Sequence, residues 1–293
     1  MSTNPDLAHD DKIGNYKYVR TLLQGQNSTV LEVVQEGTGK KFAMKELLPS
    51  LAEDPAERKV FELEAKLGME LRHPNLIRVI EYVKDRKRPY FVMEYFPSMH
   101  MRLMLGKRDL FEEIKPKVHR IITQAAAGLA YLHDRGWIHR DIKPENLIVN
   151  KSGEVRLIDY ALALKVPTGL GKMFASKPKC QGTHSYMSPE QIRRLPPAVT
   201  ADIYSLGITC YEMACGRQPF RANSPTELLN KHISEIPSPP TVHNKAITSE
   251  FSDLIMTMIK KKPADRPQSV HEFMSKFSRV RVFATDPAPW AQG

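Results

Sequence analysis

The residues best suited to chemistry lie in one short polar run and in an acidic stretch that follows it. The run is His139-Arg140-Asp141-Ile142-Lys143-Pro144-Glu145-Asn146, and the stretch is Leu157-Ile158-Asp159-Tyr160-Ala161. Aspartate can accept a proton or, with asparagine, offer oxygen ligands to a hard cation, and lysine offers a positive charge to an anion. Taken singly, an aspartate in a loop is usually a turn or cap residue. Only a joint pattern would favour chemistry.

Two further segments complete such a pattern. Phe42-Ala43-Met44-Lys45 lies upstream on a predicted strand, and Gly182-Thr183-His184-Ser185-Tyr186-Met187-Ser188-Pro189-Glu190 lies downstream. In this order the four segments resemble the protein kinase family, whose catalytic loop has the form H-R-D-x-x-x-x-N. The resemblance covers roughly Tyr16 to Phe277. Residues Gly182 to Gln191 are most similar to the bacterial, eukaryotic-like serine/threonine kinases.

The resemblance implies a role for each polar residue in transferring the γ-phosphate of ATP. Asp141 would accept or orient the substrate hydroxyl, and Lys143 would be a further cation near the γ-phosphate. Lys45 would contact the α- and β-phosphates. Asn146 and Asp159 would hold Mg²⁺, which prefers oxygen ligands. The implied cofactors are therefore ATP and Mg²⁺.

The family also supplies a glutamate partner for the strand lysine. That glutamate stands nine residues before the histidine of a His-Pro-Asn motif, and here His73-Pro74-Asn75 gives Glu64. Glu62 and Glu57 are nearby competitors that we expect to be solvated. Glu64 is therefore the expected partner of Lys45.

The phosphate-binding loop departs most from the family pattern G-x-G-x-x-G-x-V. Aligned on Val30, the chain has Leu23, Gly25 and Ser28 at the three glycine positions. Glycines let backbone N–H groups approach phosphates closely, so two losses should weaken the cradle. The resemblance places the remaining adenine-site residues as follows: Val30 and Ala43 as roof, Ile148 as floor, Met93 as gatekeeper, and Glu94 and Phe96 as the hinge.

The activation segment is expected to carry a phosphate acceptor that pairs with Arg140. The commonest acceptor position in the family is Lys179 here, which cannot be phosphorylated. The nearest upstream hydroxyls are Ser176 and Thr168, and Ser176 is the favoured site. The alternatives are that an acidic partner or substrate orders the loop, or that both hydroxyls are only solvated loop residues. Thr183, together with Lys143, matches the pattern of serine/threonine-specific members.

Some matches are architectural. Asp202 resembles the residue that anchors the catalytic loop from a buried helix. Glu190 and Arg266 resemble a buried ion pair of the family. We expect these three residues to be scaffold.

The elements that must position these residues fall into two groups. Strand-like segments at Val30–Val34, Lys41–Lys45, Leu76–Val83 and Tyr90–Glu94 surround one helix from Pro55 to about Leu71, with an apolar face through Val60, Leu63 and Leu67. Helical patterns follow Pro97, one through Ile121 to Leu132 and a buried one through Ile203 to Met213. This order predicts an α+β, bilobal protein-kinase fold with a small antiparallel-sheet N-lobe containing helix C, a larger helical C-lobe and a cleft between them.

The predicted boundaries are a polar tail at residues 1–14, a kinase domain at 15–280 and a second tail at 281–293. Within the domain the N-lobe covers about 15–95 and the C-lobe about 97–280. The N-terminus lacks an apolar signal region, and no stretch reaches the roughly 18 apolar residues of a membrane span. Three cysteines without a Cys-x-x-Cys pair favour a reducing compartment, so a cytoplasmic location is expected.

The net charge of +10 could indicate nucleic acid, but no binding motif or arginine-rich run supports that partner. The expected partners are a protein substrate with a serine or threonine acceptor and a regulatory protein acting in trans. Three functions are weighed: an active serine/threonine protein kinase, a pseudokinase acting as a nucleotide-binding or scaffold module, and a kinase of small molecules. The joint presence of Lys45, Glu64, Asp141, Asn146 and Asp159 favours the first.

Overall fold

The computed structural model describes residues 12–166 and 181–287. The chain divides into two compact units. The first contains the residues up to Arg72 and Ile77–Pro97, and the second contains His73–Leu76 and the residues from Ser98 onward. An antiparallel sheet with one helix in the first unit and mostly helices in the second confirm the predicted α+β, bilobal kinase fold.

The first unit contains six strands and one α-helix. Its elements are β1 (Lys12–Ile13), β2 (Tyr16–Gln24), β3 (Ser28–Gln35), β4 (Lys41–Leu47), α1 (Pro55–Glu70), β5 (Val79–Val83) and β6 (Tyr90–Glu94). The strands form one antiparallel sheet in the order β1-β2-β3-β4-β6-β5. Alternation along the strands gives the sheet two apolar faces. One buries Leu31, Val33 and Met44, and the other buries Phe91 against Phe61 of α1.

Helix α1 begins where the sequence predicts but buries a different face. Asp54 caps its N-terminus by accepting from the N–H of Ala56 at 2.7 Å, and Pro55 occupies the first turn. The predicted apolar face was wrong for Val60 and Leu63, which are 40% and 39% exposed. The buried residues are Phe61, Glu64, Ala65, Leu67 and Gly68. A face that contains glutamate and glycine has too little apolar contrast to be read from hydrophobicity.

The strand predicted at Leu76–Val83 is shorter at its start. Strand β5 begins at Val79, whereas Leu76 pairs with Leu157 in the second unit. The N–H of Leu157 also donates to the carbonyl of Asn75 at 2.8 Å. Residues next to β5 in sequence are therefore recruited by a different sheet, and no local pattern signals this.

In the described chain the second unit contains nine α-helices and five short strands. They are β7 (Met99–His100), α2 (Met101–Gly106), α3 (Arg108–Ile114), α4 (Val118–Asp134), β8 (Trp137–Ile138), β9 (Leu147–Val149), β10 (Val155–Leu157), β11 (Leu164–Lys165), α5 (Pro189–Ile192), α6 (Val199–Cys215), α7 (Pro225–Ser234), α8 (Pro240–His243), α9 (Ser249–Met258) and α10 (Val270–Phe277). The strands pair as β10-β9-β7 and β11-β8.

Helix α6 is the centre of this unit. Every residue from Thr200 to Ala214 is buried, and Gly216 ends the helix in the left-handed conformation with φ +66°. The predicted buried helix is confirmed in this segment. Among residues 12–166 and 181–287, no helix is both long and apolar enough to cross a membrane.

Candidate active site

Five residues of the predicted nucleotide site lie on one face of the sheet in the first unit. Leu23 lies opposite Val30, and Val30 lies opposite Lys45. Ala43 lies opposite Met93 and is two residues before Lys45 along β4. Directly opposed residues and i, i+2 neighbours project to the same side of a sheet. The register of three strands therefore brings these five side chains onto a common surface.

Lys45 is held by α1 on this face. Its Nζ lies 2.7 and 2.8 Å from the two carboxylate oxygens of Glu64, and both side chains are largely buried. The competing glutamates are engaged elsewhere: Glu62 pairs with Lys66 and Lys84, and Glu57 accepts from the amide of Asn27. A charge-assisted bidentate contact fixes the ammonium group at the end of a flexible side chain.

The hairpin between β2 and β3 carries the predicted phosphate-binding loop. The N–H of Gly25 donates to the carbonyl of Ser28 at 2.9 Å and closes the turn. A Cβ on Gly25 would lie 3.1 Å from that carbonyl oxygen, so the turn leaves little room for a side chain. Leu23 is 49% exposed at the end of β2.

The predicted hinge begins at Glu94, the last residue of β6. The N–H of Glu94 donates to the carbonyl of Arg78 at 3.0 Å, and its carboxylate accepts from the N–H of Arg78 at 3.1 Å. Phe96 is partly buried beyond the strand. Ile148, the predicted floor, lies on β9 of the second unit. The adenine site therefore stays a prediction.

The second unit brings Asp141, Lys143, Asn146 and Thr183 together. One carboxylate oxygen of Asp141 accepts from the N–H and from the hydroxyl of Thr183, both at 3.0 Å. The other accepts from Nζ of Lys143 and, at 3.1 Å, from the amide of Asn146. Nζ of Lys143 also donates to the Thr183 hydroxyl at 2.7 Å. The result is one nearly buried carboxylate whose orientation is fixed by four donors.

The loop that carries Asp141 is anchored to α6 by Asp202. This fully buried carboxylate accepts from the N–H groups of His139 and Arg140, both at 2.7 Å, and from Nε2 of His133 at 2.8 Å. Burial alone would raise the pKa of Asp202, but the hydrogen bond from His133 and the backbone donors hold it below its usual range. The predicted anchor is therefore a charged carboxylate that accepts three hydrogen bonds.

The predicted metal ligands lie at one end of a β-hairpin. The amide nitrogen of Asn146 donates to the carbonyl of Asp141 at 2.8 Å, so its side-chain oxygen is the atom left for a cation. The N–H of Ile158 donates to the carbonyl of Asn146 at 3.0 Å, which sets Asp159 one residue beyond this contact. Asp159 has φ +68° and accepts from the N–H of Ala161 at 3.4 Å.

One carboxylate and one amide oxygen are too few ligands to enclose a cation. Within the described ranges, no group of three or more His, Cys, Asp or Glu side chains is placed to hold a metal. Mg²⁺ usually keeps several waters and is bound through one or two carboxylates together with substrate phosphates. The donor set of Asn146 and Asp159 therefore fits Mg²⁺ that is shared with a polyphosphate.

The aromatic residue after Asp159 is fully buried. The hydroxyl of Tyr160 donates to the carbonyl of Leu157 at 3.2 Å, which supplies the partner that a buried phenol needs. Its ring also meets the edge of His139, with centroids 5.9 Å apart. Tyrosine therefore fits this buried position without leaving its hydroxyl unpaired.

The segment that carries Thr183 is fixed at its first residue. Gly182 has φ +126°, and a Cβ there would lie 3.2 Å from the carbonyl oxygen of Arg140. The same carbonyl accepts from the side-chain amide of Gln191 at 3.0 Å. Arg140 is largely buried and has φ +70°. The predicted phosphate acceptors, Ser176 and Thr168, lie outside the described residues.

Glu190 and Arg266 form a buried pair in the second unit. The guanidinium makes two hydrogen bonds to the carboxylate, at 2.6 and 2.9 Å, and donates further to the carbonyls of Thr200, Lys260 and Lys261. Removing one partner of such a pair typically costs about 3–5 kcal/mol of stability. The pair is part of the scaffold and does not contact the Asp141 cluster through these bonds.

A cavity of about 500 Å³ adjoins the Asp141 cluster. Residues 182–185 form one wall, and residues 222–225 with Leu228 form the other. Thr183 belongs both to this wall and to the hydrogen-bond cluster on Asp141. The second wall was missed from the sequence because it carries no motif. Its members are small or uncharged residues at the start of α7.

Sequence reasoning also missed a cluster around Arg102. This residue lies on the short helix α2 and contacts Glu145, Tyr186 and Glu212. Only Glu145 and Tyr186 belong to recognised motifs, so nothing in the spacing of the chain pointed to the arginine that joins them.

The chain belongs to the protein kinase family, because the family profile described as Protein kinase domain matches residues 16–277. A probable serine/threonine-protein kinase of Clostridium acetobutylicum is 29% identical over 266 residues, which cover 91% of this chain and 40% of the relative. Serine/threonine-protein kinase pkn3 of Myxococcus xanthus is 31% identical over 284 residues, covering 92% and 52%. Serine/threonine-protein kinase PknB of Mycobacterium tuberculosis is 29% identical over 252 residues, covering 84% and 40%.

The chain therefore spans about two fifths to one half of the length of these relatives. The predicted resemblance to bacterial serine/threonine kinases is confirmed at the level of the family.

Proposed function

We propose that this chain is a serine/threonine protein kinase that transfers the γ-phosphoryl group of ATP to a hydroxyl of a protein substrate. The observation that carries the proposal is the orientation of the Asp141 carboxylate by Lys143, Asn146 and Thr183. Phosphoryl transfer needs a positioned hydroxyl, cations on the phosphates and an acceptor for the proton. The cluster places the carboxylate of Asp141 and the ammonium group of Lys143 in direct contact.

In the proposed reaction the oxygen of a serine or threonine forms a bond to the γ-phosphorus while the bond to the oxygen of ADP breaks. Asp141 orients the hydroxyl and receives its proton. Lys143 stabilises the negative charge of the transferring group, and its bond to Thr183 holds it beside the carboxylate. Lys45, fixed by Glu64, neutralises the α- and β-phosphates.

Asn146 and Asp159 would hold Mg²⁺ with ATP. The bound cation would neutralise phosphate charge and fix the geometry of the polyphosphate. The protein's own contribution is to fix two oxygen donors at the end of the β9–β10 hairpin, next to Asp141. The cavity beside Thr183 is the proposed place for the substrate chain around its acceptor residue. The kinase domain is proposed to span residues 15–280.

The test separates transfer from binding. Asp141→Asn should remove phosphate incorporation into myelin basic protein and leave ATP affinity nearly unchanged, because the carboxylate contacts the hydroxyl and not the nucleotide. Asp253→Asn, an exposed aspartate on α9, is the matched control and should behave as wild type. Unchanged incorporation in Asp141→Asn would contradict the mechanism. Mainly phosphotyrosine in the product would contradict the acceptor class.

The alternative is a pseudokinase that binds nucleotide or a partner without transfer. Leu23 and Ser28, which replace two glycines of the phosphate-binding loop, favour it. Nucleotide binding by wild type without any incorporation, under conditions where Asp141→Asn binds equally, would support this alternative.

A further inference from the structure

The Arg102 cluster joins four separate elements of the second unit. Nε of Arg102 donates to Glu145 at 2.8 Å, and its terminal nitrogens donate to the two oxygens of Glu212 at 2.5 and 3.0 Å. Nη2 also donates to the hydroxyl of Tyr186. One guanidinium on α2 therefore holds the catalytic loop, the segment after Gly182 and helix α6. Arginine suits this task because its donors form a rigid fork.

The phenol of Tyr186 is saturated by its neighbours. Its hydroxyl donates to Glu212 at 2.5 Å and accepts from Arg102 and from the amide of Gln218, the latter at 3.0 Å. Burial, together with the charge of Glu212, raises the pKa of Tyr186, so the phenol keeps its proton. The Tyr186 ring is thereby locked at the base of the segment.

Two routes lead from this cluster to the Asp141 carboxylate. On one side, the N–H of Tyr186 donates to the carbonyl of Thr183 at 2.9 Å, and Thr183 donates twice to Asp141. On the other side, Glu145 precedes Asn146 in the same helical turn, and Asn146 also donates to Asp141. Arg102 thus contacts both segments that orient Asp141: the one that carries Thr183 and the turn that carries Asn146. The first of these segments also forms a wall of the cavity beside Thr183.

We propose that Arg102 is a positioning residue for the protein substrate, a proposal that rests on the function proposed above. Asp141 has independent support from the Asp202 anchor of its loop. Residues 182–185 form the cavity wall. They are held in place by the hydrogen bonds of the Tyr186 hydroxyl and by the bond from the Ser205 hydroxyl to the Tyr186 carbonyl. Loss of Arg102 therefore weakens acceptor binding more than nucleotide binding.

Substituting Arg102 alone would leave the carboxylate of Glu212 buried without its cation. The test therefore substitutes Glu212 first and Arg102 second. Glu212 is 6% exposed, and an unpaired buried carboxylate destabilises the fold. In Glu212→Gln the side-chain carbonyl still accepts from Tyr186, and no buried charge is stranded when Arg102 is then removed. The comparison is between Glu212→Gln alone and the double variant Arg102→Met, Glu212→Gln. Arg279→Met, at an exposed arginine, is the surface control.

The readouts are KM for myelin basic protein, KM for ATP and kcat. Relative to Glu212→Gln, the double variant should raise the acceptor KM by at least about fivefold, because the hydrogen bonds from Arg102 to Glu145 and Tyr186 are lost. ATP KM should be unchanged. Arg102→Lys in the Glu212→Gln background should recover part of the loss, since lysine keeps the charge but not the fork. Equal acceptor KM values, or equal proportional changes in both KM values, would overturn the proposal.

Failure of the proposed function can be told apart from failure of this inference. Binding of myelin basic protein by the Asp141→Asn variant, measured by biolayer interferometry, requires no turnover. Weaker binding when Arg102→Met and Glu212→Gln are added, against Glu212→Gln alone, supports the positioning role even if wild type transfers no phosphate. Equal binding, or no acceptor binding with Arg102 intact, overturns it.

Discussion

At the scale of single residues, backbone strain is concentrated beside the predicted catalytic groups. Among the described residues, only Arg140, Asp159 and Arg194 combine a side chain with positive φ. Two of these three flank the Asp141 cluster. Such conformations persist when surrounding bonds impose them, and Asp202 with Gln191 does this for Arg140. The loop geometry is therefore imposed by the scaffold, including the buried carboxylate of Asp202 on α6.

The phosphate-binding hairpin supports a prediction at the same scale. Restoring glycine at both lost positions, Leu23→Gly with Ser28→Gly, should lower the dissociation constant for ATP, because smaller residues let the backbone N–H groups approach the phosphates. Isothermal titration with Mg-ATP measures the change. Leu22→Gly, on the same strand and also exposed, is the control for loss of an apolar side chain. An unchanged or weaker affinity would show that the loop alignment on Val30 is incorrect.

At the scale of elements, the sequence predicted best those strands and helices that have a clear local pattern. The strand at Tyr90–Glu94 and the helix beginning at Pro55 were predicted from local pattern, whereas strands β1 and β2 of the six-stranded sheet were not predicted. The face of α1 could not be predicted, because Glu64 is buried there through an ion pair with Lys45. The pairing of Leu76 with Leu157 was missed because it joins residues far apart in sequence.

In the candidate site, too, some residues were predicted from the sequence and others were not. Asp141, Asn146 and Thr183 were named from motifs, and the structure brings them together. Arg102 and the cavity wall at the start of α7 were not, because their role comes from tertiary packing and their residue types are common on surfaces. Motifs therefore named the residues of the Asp141 cluster and the Asp202 anchor, whereas Arg102 is identified only by the contacts that it makes in three dimensions.

Helix α7 docks on α6 through a buried histidine. Nδ1 of His232 lies 2.9 Å from the hydroxyl of Tyr204, and the imidazole meets the edge of Phe220 with centroids 4.8 Å apart. Burial and the charge of Lys261 lower the pKa of His232 to about 3. Nζ of Lys261 in turn donates to the carbonyl of His232 at 2.9 Å. The folded protein therefore holds this imidazole neutral.

This burial predicts acid sensitivity of the α7–α6 contact. An unfolded histidine titrates near about 6.5, so between about pH 3 and 6.5 the unfolded state binds a proton that folded His232 does not. The free energy of unfolding should then fall as pH falls, by up to about 1.4 kcal/mol per pH unit from this group. His232→Asn keeps an acceptor for Tyr204 and should flatten the slope.

Urea unfolding at several pH values between 4 and 7.5 measures that slope. His271→Asn is the control, because His271 is exposed and pairs only with Asp134 in the described bonds. The absolute stability of His232→Asn is expected to drop at pH 7, so the comparison is of slopes. Parallel curves for wild type and His232→Asn would rule out this histidine as the source of acid sensitivity.

At the scale of the whole molecule, lysine and arginine outnumber aspartate and glutamate by 43 to 33. The formal net charge is +10. Part of the positive charge is offset locally, because Glu32 pairs with both Arg20 and Lys41. Their hydrogen bonds lower the pKa of Glu32 to about 2. Four of the lysines lie in the segment between the Asp159 motif and Gly182: Lys165, Lys172, Lys177 and Lys179.

The last prediction concerns this cationic segment. Like charges near Arg140 should oppose ordering, whereas a phosphate there would pair with the guanidinium through charge-assisted hydrogen bonds. Autophosphorylation at Ser176 is expected, with Thr168 as the second site. Mass spectrometry after incubation with Mg-ATP should find the phosphate in wild type and not in Asp141→Asn. The double variant Ser176→Ala, Thr168→Ala should lower kcat severalfold, with Ser278→Ala as an exposed control. Full activity of the double variant, with no phosphate on the wild-type segment, would instead assign the ordering role to an acidic partner or substrate.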